Sequence, residues 1–144
     1  MSKVAIPSRA DYGIFYPIST RWSDNDVYGH VNNVTYYSYF DTAANRYLIE
    51  EGGLDISDGA IVGYVVSSGC EYHAPITYPE PIEAGLRVDR LGSSSVRYGL
   101  GIFRSGVDQA VAHGHFVHVF VDRAANKAVP IPGPLRAALE RLAG

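Results

Sequence analysis

Between residues 21 and 41 the chain reads RWSDNDVYGHVNNVTYYSYFD, and most of its candidate chemistry lies in the first half of that stretch. Two acids, Asp24 and Asp26, stand two positions apart. Tyr28 and Gly29 follow, and His30, Val31, Asn32 and Asn33 then lead into an aromatic run. A carboxylate in such a place can serve as a nucleophile or as a general base that takes a proton from water. A helix beginning just after it adds a second element. Its first N–H groups have no partner inside the helix, and with the positive end of the helix dipole they can stabilise a developing oxyanion. Each residue also has a purely structural use. Asp26 can be a loop acid or an N-cap, and Asp24 can close an Asx-type turn. His30 can orient a reacting group or simply satisfy a local hydrogen bond. Asn32 and Asn33 can cap the helix through their side chains or hold a water. Gly29 permits a close backbone approach or a positive φ.

The elements that position these residues follow from the pattern on either side. Residues 14–21 (IFYPISTR) read as a first strand, with Pro17 predicting an edge or a bulge. Residues 22–30 form a polar loop. Residues 32–51 contain no glycine or proline, and Gly52 and Gly53 then supply a helix stop. On this helix Tyr36, Phe40, Ala43 and Tyr47 share one face, and Tyr37, Ala44 and Leu48 share a neighbouring one. So much apolar circumference predicts a mostly buried helix. Four strands follow at meander spacing: residues 61–73, 82–91, 95–104 and 109–122. The second of these alternates, with Ile82, Ala84, Leu86 and Val88 opposite Glu83, Arg87 and Asp89. Residues 130–142 end in an amphipathic helix with Leu135, Leu139 and Leu142 on one side. A helix apolar nearly all round must be wrapped by its sheet. The expected architecture is therefore α+β, a curved antiparallel sheet of about five strands around one central helix. That is the hotdog fold, as a single domain over residues 1–144 that completes its burial in a homodimer or homotetramer.

Bulk properties exclude several functions. The 144 residues are 47% hydrophobic and 19% charged, as in ordinary soluble domains. A net charge of −3 gives no electrostatic case for nucleic acid. One cysteine, Cys70, precludes an internal disulfide and fits a reducing compartment. No apolar run approaches the roughly 20 residues of a membrane span. The N-terminal stretch lacks a signal-peptide apolar region. A cytoplasmic location is expected.

The quoted stretch resembles the signature of the 4-hydroxybenzoyl-CoA thioesterase-like branch of hotdog acyl-CoA thioesterases. In that family an Asp-x-Asp pair precedes a glycine turn and the N-terminus of the central helix; here these are Asp24 and Asp26, Tyr28-Gly29, and residues 31–33. The run His30-Val31-Asn32-Asn33 with Tyr36 is also similar to an element of acyl-carrier-protein thioesterases, so CoA and carrier protein both stand as carriers. The match covers residues 21–47. It implies hydrolysis of an acyl or aryl thioester with no cofactor. Asp26, the second acid, acts as nucleophile or general base, and the N–H of Asn33 or a close neighbour polarises the carbonyl. His30 is the candidate orienting group. Asn33 stands where several bacterial members carry tyrosine or histidine, and His30 where an apolar residue is common. The thiolate leaving group, with a pKa near ~8.5, needs little protonation.

Four arginines, Arg87, Arg90, Arg97 and Arg104, fall on two adjacent strands and their ends. They are candidate ligands for the CoA phosphates, or a solvated sheet face. His113, His115 and His118 suggest a metal, but in a strand only the first two share a face, and no Cys or acid completes a set. No G-x-S-x-G elbow, Walker A loop or dinucleotide fingerprint is present. Two rival readings use the same fold. A hotdog enoyl-CoA hydratase or dehydratase would carry an Asn-Pro that is missing here, and a non-catalytic acyl-CoA binding module would need no nucleophile.

Overall fold

The structure, a computed structural model, describes residues 5–143. Strand alternation sets most of its architecture. On β3 (Ile82–Leu91) the side chains of Ile82, Ala84, Leu86 and Val88 are buried, while Glu83, Arg87 and Asp89 look outward. On β4 (Ser95–Arg104) Val96, Tyr98, Leu100 and Ile102 are buried, and on β5 (Ala112–Asp122) Ala112, Phe116, His118 and Phe120 are. With β1 (Ile14–Ile18) and β2 (Ile61–Tyr72) these make an antiparallel sheet in the order β1-β3-β4-β5-β2, and a short β6 (Lys127–Ala128) pairs with β5. Pro17 lies on β1, which bonds only to β3, so its missing N–H interrupts no interior ladder.

The bounds of β3 and β4 match the sequence reading, and the other differences have local causes. β1 stops at Ile18 because residues 22–24 wind into a 3-10 turn that starts from Arg21. Residues 109–110 pair with the N-terminal segment instead of extending β5: Ser8 bridges Gln109, and the Ala110 N–H donates to Pro7 O.

The central helix α1 (Thr35–Glu50) begins later than the glycine-free run suggests. The preceding residues are already committed elsewhere. The Val31 N–H donates to Ile76 O at 2.8 Å, the Asn32 N–H to Asp24 O at 2.8 Å, and the Asn32 Oδ1 accepts the Val34 N–H at 3.0 Å. Asn32 thereby closes an Asx turn just ahead of the helix, whose N-cap position, Val34, has no side-chain cap. The far end closes on Gly53, at φ +71, and the Leu54 N–H reaches back to Leu48 O at 3.0 Å. Tyr36, Tyr39, Phe40, Ala43, Ala44, Tyr47 and Leu48 are buried against the concave face of the sheet. Residues such as Phe40 and Leu48, with no exposed surface, each contribute about 2 kcal/mol relative to exposure. Helix α2 (Gly133–Ala143) closes the far end of the same core with Leu135, Ala138 and Leu139, and Tyr47 donates its hydroxyl to Ala138 O.

A smaller cluster sits on the convex face, where Tyr12, Phe15 and Phe103 meet edge to face with the Arg9 guanidinium about 5 Å from two of the rings. It exists because β3 and β4 carry Gly85 and Gly101 there. A Cβ at either position would come within 2.9 Å of the Tyr12 side chain. Strand β2 forms the other edge of the sheet and leaves Tyr64, Val65 and Val66 exposed. No helix among the described residues is long and apolar enough to cross a membrane.

Candidate active site

The two acids have opposite environments. Asp24 is 1% exposed and fully engaged: its carboxylate accepts from the Arg21 N–H at 2.9 Å, Arg21 Nε at 3.0 Å and the Tyr39 hydroxyl at 2.7 Å. Burial alone would raise its pKa, but the hydrogen bonds from Tyr39 and Arg21 outweigh burial and hold it below the ordinary carboxylate value. This acid ties the loop to the second turn of α1.

Asp26 is half-buried at the start of a reverse turn. Its Oδ1 accepts the Tyr28 N–H at 2.9 Å, its own N–H donates to His30 O at 2.9 Å, and the Gly29 N–H returns to Asp26 O at 3.0 Å. Gly29 makes this turn possible at φ +82. Residues 76–80 clamp it from outside, as Thr77 donates its hydroxyl to Gly29 O at 2.7 Å and the Tyr78 N–H donates to Asn25 Oδ1 at 3.1 Å. Asp26 Oδ2 takes no hydrogen bond among the described residues. It opens into a depression of about 630 Å³ walled by Trp22, Asn25, Tyr28 and Asn32.

His30 and Asn33 lie on the other side of this turn, in an adjoining depression of about 310 Å³ with Val31, Tyr36, Tyr72, His73, Ala74 and Pro75. The Asn33 N–H donates no hydrogen bond among the described residues, while its carbonyl accepts the Tyr72 hydroxyl at 2.9 Å. Tyr72 thereby fixes the Asn33 backbone, and Tyr36 packs edge-on against Tyr72 at 5.1 Å. Burial pushes the Tyr36 phenol up to about 12, so it stays a neutral donor. Cys70, behind these rings, is pushed up to about 11, again mainly by burial; it is a protonated thiol, not a nucleophile. The structure therefore groups His30 with Asn33 and sets Asp26 in the neighbouring depression.

Tyr72 and His73 did not emerge from the sequence. Tyr72 ends β2 and His73 follows it in a segment with no motif, and only the register Tyr72↔Ala112 carries them to the start of α1. His73 Nε2 lies 2.7 Å from His113 Nδ1, the rings 4.9 Å apart between centroids. His113 and His115 face the convex side and His118 the core, so the three do not converge. No group of three or more His, Cys, Asp or Glu among the described residues is arranged to hold a metal ion.

The arginines separate. Arg87 and Arg97 approach the same acid, Asp89, at 2.7 and 4.0 Å, and line a convex-face groove of about 340 Å³ with Glu71, His113 and His115. Arg90 is exposed and faces Arg97 across the ladder. Arg104 is held by Glu80 at 2.8 Å and by Pro75 O, at the opposite end of β4.

A family model described as the thioesterase-like superfamily matches residues 20–139. The chain belongs to that superfamily. The solved structure of the PA5185 protein from Pseudomonas aeruginosa is 58% identical to this thioesterase-like chain, superposes with a TM-score of 0.96, and the match covers 97% of this chain and 98% of that one. The PA2801 protein of the same organism, reported as a candidate thioesterase, is 31% identical at a TM-score of 0.79, over 87% of this chain and 96% of its own. A 1,4-dihydroxy-2-naphthoyl-CoA thioesterase from Synechocystis is 20% identical at a TM-score of 0.79, over 89% and 96% of the two chains. That last likeness speaks to the fold alone. The thioesterase-like chain thus has the hotdog fold, a curled antiparallel sheet around α1.

Proposed function

We propose that this chain hydrolyses an acyl or aryl thioester of CoA to the free acid and CoA. The observation that carries the reading is the polarity of the turn at residues 26–33. Among the described residues it presents an uncommitted carboxylate oxygen on Asp26 and, across the turn, a backbone N–H on Asn33 with no partner. In this reading Asp26 attacks the carbonyl carbon or takes the proton from the attacking water. The Asn33 N–H stabilises the oxyanion, which is worth about 3–4 kcal/mol where one such donor has been removed. His30 orients the carbonyl or the water. Superfamily membership supports the thioester.

In this reading Arg87 and Arg97, which line one groove, bind the CoA phosphates. The pantetheine arm then runs from the convex groove over the end of β2 into the depression at Asn33, past the contact between His73 and His113 that joins the two linings. Arg104 lies at the opposite end of β4, held by Glu80 and Pro75 O, and is left to structure. The active unit in this proposal is a homo-oligomer. Strand β2 offers an unpaired edge with Tyr64, Val65 and Val66 exposed, and Asp26 and Asn33 face separate depressions within one chain. A cytoplasmic setting agrees with the lone, protonated Cys70.

The test is thiol release from short, long and aromatic acyl-CoAs beside the same acyl groups on pantetheine and on acyl-carrier protein. Turnover of at least one CoA thioester, faster than its pantetheine counterpart, is expected. Turnover of carrier-protein thioesters alone would replace the carrier, and silence across the panel would end the hydrolytic reading.

A further inference from the structure

His73 and His113 are the closest pair of titratable side chains that the roles above leave unused. They come from different places, His73 just after β2 and His113 on β5, and meet at 2.7 Å between Nε2 and Nδ1. Their surroundings differ. His73 lines the depression that holds Asn33, and His113 lines the convex groove with Glu71 and Arg87. The pair therefore connects the depression at Asn33 to the outer face of the sheet.

We propose that His73 is the general acid that protonates the departing thiolate, and that His113 holds His73 in position and returns its proton from the convex face. The inference rests on the thioesterase reading. Val31, Ala74 and Pro75 line the wall of the depression beside His73 and offer a departing anionic sulfur no hydrogen-bond donor, so the imidazole is the nearby group that can supply one. A thiol with a pKa near ~8.5 in water then gains from a donor at the moment the C–S bond breaks. The step balances as follows. Water adds HO to the carbonyl carbon and gives one proton to Asp26. The C–S bonding pair leaves on sulfur, which takes a proton from His73. The acid product and Asp26 each release a proton to solvent, and His73 recovers one through His113, so one proton is released per turnover at neutral pH. In this arrangement protonated His113 donates Nδ1–H to His73 Nε2 and His73 carries its own proton on Nδ1 toward the sulfur, so the proton lost from Nδ1 is replaced at Nε2 from His113, and exchange with solvent restores the starting tautomer.

His113 is held below the ordinary histidine value, chiefly by burial and then by His73, with Arg87 lowering it and Glu71 raising it. Asp89, Arg97 and His115 complete the convex groove; His30, Tyr36 and Tyr72 face the His73 side.

The experiment compares one acyl group on two leaving thiols, CoA and a nitrothiophenol of low pKa, in wild type, His73→Gln and His113→Phe. His73→Gln is expected to lose about 30-fold in kcat on the CoA thioester and less than threefold on the aryl thioester, whose thiolate needs no proton. His113→Phe keeps a ring but supplies no proton to His73, and should move the alkaline limb of the kcat profile to lower pH. Nitrogen-15 histidine titration of the wild type should show His73 and His113 protonating in two coupled steps. Equal losses on both thiols, an unmoved alkaline limb, or independent single-site titrations would each overturn the proposal while wild-type turnover kept the thioesterase reading intact. A wild type inert toward every thioester would remove both.

Discussion

Asp24 and Asp26 were indistinguishable by residue type, and what separates them is a partner far along the chain. The Tyr39 hydroxyl arrives from the second turn of α1 at 2.7 Å and, with Arg21, uses up the Asp24 carboxylate. No spacing rule in the sequence announces that contact, whereas the turn around Asp26 was legible from its glycine and its asparagines. Asp24→Asn should therefore act on stability. It weakens charge-assisted bonds at a buried site, at about 2–3 kcal/mol, and denaturant unfolding should report the loss. An unchanged midpoint would mean that the buried carboxylate is not a structural post. Missing Tyr72 and His73 has the same origin, since their position depends on cross-strand register and not on local pattern.

Strand β3 could be read to the residue from its alternation, and β4 from the turns at 92–94 and at Ser105-Gly106, since Tyr98 to Phe103 are buried on both faces. Strand β2 was harder. Its register shifts between Val65 and Ser67, and exposed and half-buried residues run together along it. The start of α1 was misplaced for a different reason, the prior use of the Val31 and Asn32 N–H groups by the loop and by residue 76. The convex cluster of Tyr12, Phe15 and Phe103 escaped notice because glycines, not apolar residues, make room for it. Twelve-residue β2 is an edge with exposed apolar side chains, and such edges pair or aggregate unless managed. Placing lysine at both Tyr64 and Val66 should shift the chain from oligomer to monomer in sedimentation velocity. A wild type that already sediments as a monomer at high concentration would contradict the proposed pairing.

For the molecule as a whole, the core contains one buried imidazole. His118 is 1% exposed, 3.1 Å from the Tyr98 hydroxyl, and burial pushes its pKa down from 6.5 to about 4. Above pH 6.5 it is neutral in both folded and unfolded chains and contributes no pH dependence. As pH falls from 6.5 toward 4, the unfolded chain binds the proton and the folded chain does not, so stability declines by up to about 3 kcal/mol. His118→Gln keeps an acceptor for Tyr98 without the titration, and should flatten this slope in urea unfolding at pH 7, 6 and 5. A variant with the wild-type slope would assign the acid sensitivity elsewhere.

The central claim is that Asp26, and not its neighbour, performs the chemistry on a thioester carbonyl. Single-turnover hydrolysis of the best acyl-CoA by wild type and Asp26→Asn tests it most directly, with thermal unfolding of both proteins alongside. The account predicts a rate loss of about 100-fold or more with an unchanged unfolding transition. Asp26→Asn turning over at the wild-type rate would contradict it.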